Sequence, residues 1–316
     1  MQSEAVNQAS SEQLLTPVEV CPLCASGETS LARTERHNFP PDDYYRAYSR
    51  SPINLRRCAS CDFVFVDALP KDPTFYDHLY SQDRDWAYEF KFHGKFAIAQ
   101  DVKKQIRRYL PSGKLLDVGA WSGTLITELR DNFAVHGVEI NPHAAACARE
   151  QGFDVRTGAF GQVDLSDIAP FDVITFIDVL EHIPQPGRII EQARELLRPG
   201  GLIVIKVPHF DAQAVKQTAL GRLGLSQEGV AQNYSHINHF SPTSLRSALQ
   251  ARGFDVLDVS GAQVEMWNLS APAPTPVRAK RLVRNLARGV GTRTLNGLTR
   301  LGVPCALNIQ AVARKR

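Results

Sequence analysis

The fold is decided at Leu115-Leu116-Asp117-Val118-Gly119-Ala120-Trp121-Ser122-Gly123. Residues 114–118 are apolar and follow a Pro111-Ser112-Gly113 turn, the pattern of a short buried strand. Residues 119–123 form a tight glycine-bearing turn. Leu125, Ile126 and Leu129 then recur at helical spacing, so a helix is expected over 124–130. Strand, glycine turn and helix start make a nucleotide-type binding corner, because the glycines admit a ligand close to the backbone and the helix start offers N–H groups. The spacing is Gly-x-x-x-Gly, not the Gly-x-Gly-x-x-Gly of dinucleotide folds. Asp117, two residues before the first glycine, suits a ligand with positive charge and suits a pyrophosphate poorly. Alone, such a corner could equally be an ordinary tight turn.

Downstream the same punctuation repeats. Residues 135–140 read as a second strand ending at Glu139, where doubly wound folds hold a ribose diol. Residues 153–157 read as a third strand and 171–177 as a fourth, ending at Asp178. A helix over 189–197 is stopped by Arg198-Pro199-Gly200-Gly201, and 202–207 form a fifth strand. The segments LDVGAWSG, GVEIN, FDVITFIDVLEHIPQP, LLRPGG and LIVIKVP, in this order, resemble the class I S-adenosylmethionine-dependent methyltransferase family across about residues 90–260. The resemblance implies a doubly wound α/β fold with a seven-stranded, mostly parallel sheet. Residues 253–259 and 306–313 would be its sixth and seventh strands, paired antiparallel at the edge. It implies that Asp117, Gly119, Ala120, Trp121 and Gly123 line the methionine part of S-adenosylmethionine, and that Glu139, followed by Ile140, binds the ribose hydroxyls. Ala159 and Phe160 would border the adenine, and Asp178 the cofactor. Trp121 replaces a usually small residue and is expected to crowd or cover the cofactor.

The chain has 316 residues, 43% hydrophobic and 22% charged, the composition of a soluble globular protein. No apolar run reaches eighteen residues and the N-terminus lacks a signal-peptide pattern, so a cytoplasmic protein is expected. Residues 1–18 read as a polar disordered tail. The net charge of +3 hides an asymmetry: ten of the 36 basic residues, and none of the 33 acids, follow Glu265. Residues 1–265 are therefore net −7, which disfavours a body built to lie along nucleic acid.

Cys21-Pro22-Leu23-Cys24 and Cys58-Ala59-Ser60-Cys61 are two C-x-x-C knuckles, suited to a four-thiolate structural zinc site in a module over 19–70. A disulfide or redox pair is the alternative. Cys147 and Cys305 are expected to be buried and inert. Between the knuckles, Tyr44, Tyr45 and Tyr48 lie in a loop that either faces substrate or is plain surface. Residues 71–110 read as an aromatic-rich helical region, with Tyr88, Phe92 and Phe96 at helical spacing, which packs on the sheet or covers the site. Residues 111–316 would be the methyltransferase domain.

Methyl transfer from a sulfonium requires alignment of the acceptor with the methyl group, and a hydroxyl acceptor also needs a base. His182, in Asp178-Val179-Leu180-Glu181-His182, is a candidate base or substrate contact; otherwise it orders its loop. The Asp178, Glu181, His182 spacing also resembles a metal-binding variant in methyltransferases of ubiquinone biosynthesis, whose first position is Glu. His236 and His239, in Tyr234-Ser235-His236-Ile237-Asn238-His239-Phe240-Ser241, are further candidates, with His209 weaker. Ser241 before Pro242 also marks a helix start, with a helix over 244–252. No Asn/Asp-Pro-Pro-aromatic run follows the fourth strand and Pro304-Cys305 lies far from the core motifs, which points away from nucleobase methylation. A small-molecule or saccharide hydroxyl is the expected acceptor.

A proline-rich stretch opens an insertion over about 266–303. Residues 277–290 read as a basic amphipathic helix with Leu282, Leu286 and Val290 on one face. That face either packs on its own body or on a second subunit, or lies on an anionic membrane. Two rivals to the enzyme remain: a zinc-bearing nucleic-acid-binding protein, and a membrane-surface interaction protein using this helix.

Overall fold

A computed structural model describes residues 14–37, 48, 52–72, 74, 75, 93–224, 229–267, 275–300 and 305–316. From the N-terminus come strands β1 (Leu15–Pro17), β2 (Thr29–Glu35), β3 (Ile53–Cys58), β4 (Val64–Val66), β5 (Ala68–Pro70) and β6 (His93–Gly94). Helix α1 (Phe96–Arg107) leads to β7 (Gly113–Val118), α2 (Thr124–Leu129), β8 (Phe133–Glu139), α3 (Pro142–Glu150), β9 (Asp154–Thr157) and β10 (Phe171–Ile177). After a single 3-10 turn at Leu180–His182 follow α4 (Pro186–Leu196), β11 (Leu197–Pro208), α5 (Phe210–Arg222), β12 (Asn238–His239) and α6 (Pro242–Ala251). The chain ends with β13 (Phe254–Gly261), β14 (Met266–Trp267), α7 (Thr275–Arg300) and β15 (Asn308–Lys315). Two compact units form: one from residues 84–179, 188–207 and 245–316, the other from 1–83, 180–187 and 208–244.

The first unit holds the expected seven-stranded sheet, in the order β13-β15-β11-β10-β7-β8-β9. Strands β11, β10, β7, β8 and β9 run parallel, and β13 pairs antiparallel with β15. Their near-continuous apolar runs follow from burial on both faces. Ile98, Ala99, Val102 and Ile106 of α1 pack against Leu115, Val173, Leu202 and Val204, while Ala145 and Ala148 of α3 join Ala120, Ile126 and Val155. Strand order reverses between β7 and β10, the switch point at which open α/β sheets bind ligands. The Arg198–Gly201 segment, expected to stop the preceding helix, follows the end of α4 and lies within β11 at a register irregularity, with Phe171 opposite Leu197 and Val173 opposite Leu202.

The second unit carries the cysteines on a four-stranded sheet, β12-β4-β3-β2, over a core that includes Tyr48, Ile53, Leu55, Phe75, Phe210 and Tyr234. Its composition departs from the expected boundaries. Residues 180–187 and 208–244 fold with the N-terminal module, because β12 extends that module's sheet antiparallel to β4 and Asn238 donates to the carbonyls of Leu180 and Ile183. Tyr48 is a core residue against Phe75, not a substrate-facing one. Tyr44, Tyr45 and the aromatics from Tyr76 to Phe92 lie outside the described residues, as do residues 1–13 of the polar tail. Cys147 is exposed and Cys305 half-buried, against expectation, since the alanines of α3 fill its inner face and leave Cys147 outward.

Helix α6 is capped as its sequence suggested. Ser241 and Ser244 exchange hydrogen bonds, each hydroxyl accepting from the other's backbone N–H, and the Ser241 hydroxyl also donates to Asp62. Ser241→Ala removes both and should cost about 1–2 kcal/mol, measured as a lower urea midpoint; an unchanged midpoint would contradict the capping role.

Candidate active site

The C-terminal ends of four parallel strands bring together the first group of expected residues. Asp117 lies in β7 and the glycine turn follows it. Glu139 ends β8, Ala159 and Phe160 follow β9, and Asp178 follows β10. The turn is anchored from β8, whose Val138 carbonyl accepts from the N–H groups of Gly119 and Ala120. Gly119 has φ +77°, and a β-carbon there would stand 2.5 Å from Val179 Cγ2. Gly123 has φ +87°, with Phe153 at 3.1 Å from such a carbon. Neither position tolerates a side chain without movement.

Glu139 is buried, and its carboxylate accepts from the backbone N–H of Trp121 at 2.8 Å and of Asn141 at 2.7 Å. It thus ties the glycine turn to the start of α3 and retains oxygen lone pairs for further donors. Trp121 is half-buried and itself left-handed, at φ 49°. Asp117 is buried and accepts from the Thr175 hydroxyl at 2.6 Å. Burial, and secondarily the charge of Glu139, push Asp117 up to about 7; burial also raises Glu139. Ile140 is 70% exposed, an apolar surface beside Glu139, and the Phe160 ring stands edge-on to Phe176.

Two lysines escaped the sequence reading. The Lys206 ammonium, buried in β11, donates to Asp178 at 2.5 Å, and Lys95 lies 3.7 Å from the other oxygen of Asp178. Lys95 also favours the ionised forms of Asp117 and Glu139. A charge inside the otherwise apolar Leu-Ile-Val-Ile-Lys-Val run was the available signal for Lys206.

The expected histidines lie in the second unit. His182 Nδ1 is 2.6 Å from the Ser235 carbonyl, and the His182 and His236 rings are 4.9 Å apart. A carbonyl only accepts, so Nδ1 of His182 carries the proton and Nε2 is the basic nitrogen of the neutral ring. Gln232, Asn233 and Tyr234 are consecutively left-handed, and Glu35 accepts from Val230 and Ala231 to hold this costly turn in front of Ser235. Donor atoms of Glu181, His182 and His236 lie within 4.8 Å of one another. His239 is not among them. It is buried against Phe210, and burial lowers it to about 3. His209 is buried too.

Each cysteine knuckle has the same local geometry. Ala25 and Asp62, after the second cysteine of each pair, are left-handed at φ 62°, and their N–H groups donate to Cys21 and Cys58. Sulfur separations are 3.7 Å for Cys21–Cys61 and 3.6 Å for Cys24–Cys58, and all four sulfurs lie within 4.8 Å of one another. These distances exclude a disulfide and match the edge of about 3.8 Å implied by tetrahedral zinc–sulfur bonds. The thiol of Cys61 holds Cys21 down to about 5 while Cys61 itself is raised, because four such close sulfurs cannot all ionise without a cation among them.

Residues 90–259 match the family described as "Methyltransferase domain". That is over half of the chain, which belongs to this family and is a class I S-adenosylmethionine-dependent methyltransferase. It is 27% identical over 165 residues to a ubiquinone biosynthesis O-methyltransferase of Xylella fastidiosa (strain 9a5c), covering 50% of this chain and 67% of the relative. Among solved structures it resembles a methyltransferase of Thermotoga maritima described as a possible histamine N-methyltransferase, at 16% identity and TM-score 0.48, covering 76% of this chain and 98% of that one. It also resembles magnesium protoporphyrin IX methyltransferase of Synechocystis PCC 6803 with bound SAH, at 13% identity and TM-score 0.45, covering 69% and 82%. Among the described residues no helix is long and apolar enough to cross a membrane.

Because its folded-state value is depressed, neutral His239 stabilises the fold fully above about pH 6.5, and that contribution is lost as pH falls toward 3. Urea unfolding between pH 7 and 4 should show a loss of a few kcal/mol that is smaller in His239→Phe. An identical loss in that variant would contradict this assignment.

Proposed function

We propose that this protein methylates a hydroxyl of a small molecule or saccharide, and that the corner at β7 and β8 holds its S-adenosylmethionine. The carrying observation is the pair of buried acids, Asp117 and Glu139, around a glycine turn at the switch point. Glu139 takes the ribose hydroxyls, for which its lone pairs remain. Asp117 and Gly119–Gly123 face the methionyl part, whose ammonium offsets the buried acid. Ile140, Ala159 and Phe160 offer the adenine an apolar surface, and Asp178 borders the cofactor with its charge fixed by Lys206. When bound, the cofactor supplies an electrophilic methyl group. This chain's contribution is to hold the acceptor in line, exclude water and receive the hydroxyl proton. His182 Nε2 is the base, with Nδ1–H anchored on Ser235, and His236 stands edge-on to it; His239 supports them from the core. The O-methyltransferase named among the relatives agrees with an oxygen acceptor. The four cysteines hold a structural zinc, leaving no open position for substrate.

A second reading rests on the spacing of Glu181, His182 and His236: the three hold a divalent cation that activates the acceptor. Elemental analysis separates the two. One zinc per chain, lost in Cys58→Ser and kept in His236→Ala, is expected. A second equivalent lost in His236→Ala would favour the cation.

Calorimetric titration with S-adenosylmethionine should give micromolar affinity, weakened more than tenfold in Glu139→Ala; no binding by folded, zinc-loaded protein would sink the assignment. Asp117, raised when buried, destabilises the free protein as pH rises through 7, and the bound ammonium relieves that cost. Affinity should therefore rise with pH, by up to about tenfold per unit as pH approaches 7 from below, and level off above 7, and Asp117→Asn should flatten the profile. A wild-type profile already flat from pH 5.5 to 7.5 would contradict the ammonium contact.

A further inference from the structure

Helix α7 is mounted the wrong way round for a helix that serves only its own body. Such a helix buries its apolar stripe and turns its polar side to water. Among the described side chains of α7, Asn285 and Thr292 are the buried ones, while Leu282, Leu286 and Val290 are 47, 60 and 64% exposed. The inner side is fastened through polar groups: Asn296 donates to the Ala262 carbonyl and Arg288 to the Glu265 carbonyl. At 100° per residue the three outward apolar residues fall within an arc of about 80° and extend about 12 Å along the axis. Leu298, further along, is exposed as well.

The charges around this stripe have one sign. Residues 275–300 contain Arg278, Lys280, Arg281, Arg284, Arg288, Arg293 and Arg300 and no acid. Arg284 and Arg293 are exposed. An outward apolar stripe flanked by cations only is complementary to a surface that offers hydrocarbon beneath a layer of negative charge. A nucleic acid would use the arginines and leave the leucines in water. A second copy of the net-negative body would supply charge but needs an apolar recess as well.

We propose that α7 docks this protein, lying flat, on an anionic phospholipid bilayer. Leu282, Leu286 and Val290 enter the boundary between headgroups and acyl chains, and Arg293, in line with the stripe, pairs with headgroup phosphates, while Arg284 adds to the positive field that draws the helix to the anionic surface. The proposal is independent of the acceptor assignment.

Flotation of the full-length protein tests it, with vesicles of phosphatidylcholine alone or with 30% phosphatidylglycerol (a fraction on the order of the anionic content of a bilayer leaflet). The protein should float with the anionic vesicles and not with the neutral ones. Leu286→Ser/Val290→Ser and Arg284→Glu/Arg293→Glu should each lower the bound fraction at least about fivefold, while calorimetric affinity for S-adenosylhomocysteine, the control for folding, stays unchanged. No flotation by protein that still binds S-adenosylhomocysteine would overturn the proposal. So would flotation that neither double variant reduces, or serine substitutions that instead convert a dimer to a monomer in sedimentation velocity.

Discussion

The buried carboxylate of Glu139 is the contact on which the proposed cofactor corner depends. Its bonds to the Trp121 and Asn141 amides tie the glycine turn to the first turn of α3. Burial of two acids, Glu139 and Asp117, is unfavourable by itself. Backbone donors, the Thr175 hydroxyl and the field of Lys95 offset part of that cost, and burial still leaves Asp117 raised to about 7. A site held in this state is predisposed toward a ligand that brings positive charge, as a sulfonium amino acid does. Binding and electrostatic relief are then the same event.

The second unit solves a different problem. A four-stranded sheet with short strands has little apolar area to bury, and the two cysteine knuckles close it with matched left-handed turns. A metal among four thiols would link the segment before β2 to the turn between β3 and β4. The same sheet accepts β12, and through Asn238 and His182 it orders the turn at Leu180–His182. The cysteine module is therefore continuous in structure with the histidine pair.

The parallel sheet was legible because its strands are buried on both faces, so each appears as an apolar run punctuated by glycine or proline. The residues proposed for the cofactor follow strand ends, and their place in the fold was legible for the same reason. Three features were not. The membership of β12 in the cysteine-bearing sheet rests on two residues pairing with Val64 and Phe65, a long-range contact that no local period encodes. The burial of His239 follows from that pairing, which is why Tyr234–Ser241 read as a uniform run of candidates. The outward direction of the α7 stripe depends on polar contacts with Ala262 and Glu265, whereas the sequence period reports only that a stripe exists. Lys206 was visible as a charge in an apolar strand, but its partner Asp178 is a contact between neighbouring strands.

Hydrogen–deuterium exchange with and without S-adenosylhomocysteine tests the central claim most directly, because it reports where the ligand acts. Slowed exchange is expected in peptides spanning residues 116–125 and 138–144, with little change over 21–35. Saturating ligand that leaves 116–125 and 138–144 unchanged, or protects another region in their place, would contradict a cofactor corner built on Asp117, the glycine turn and Glu139.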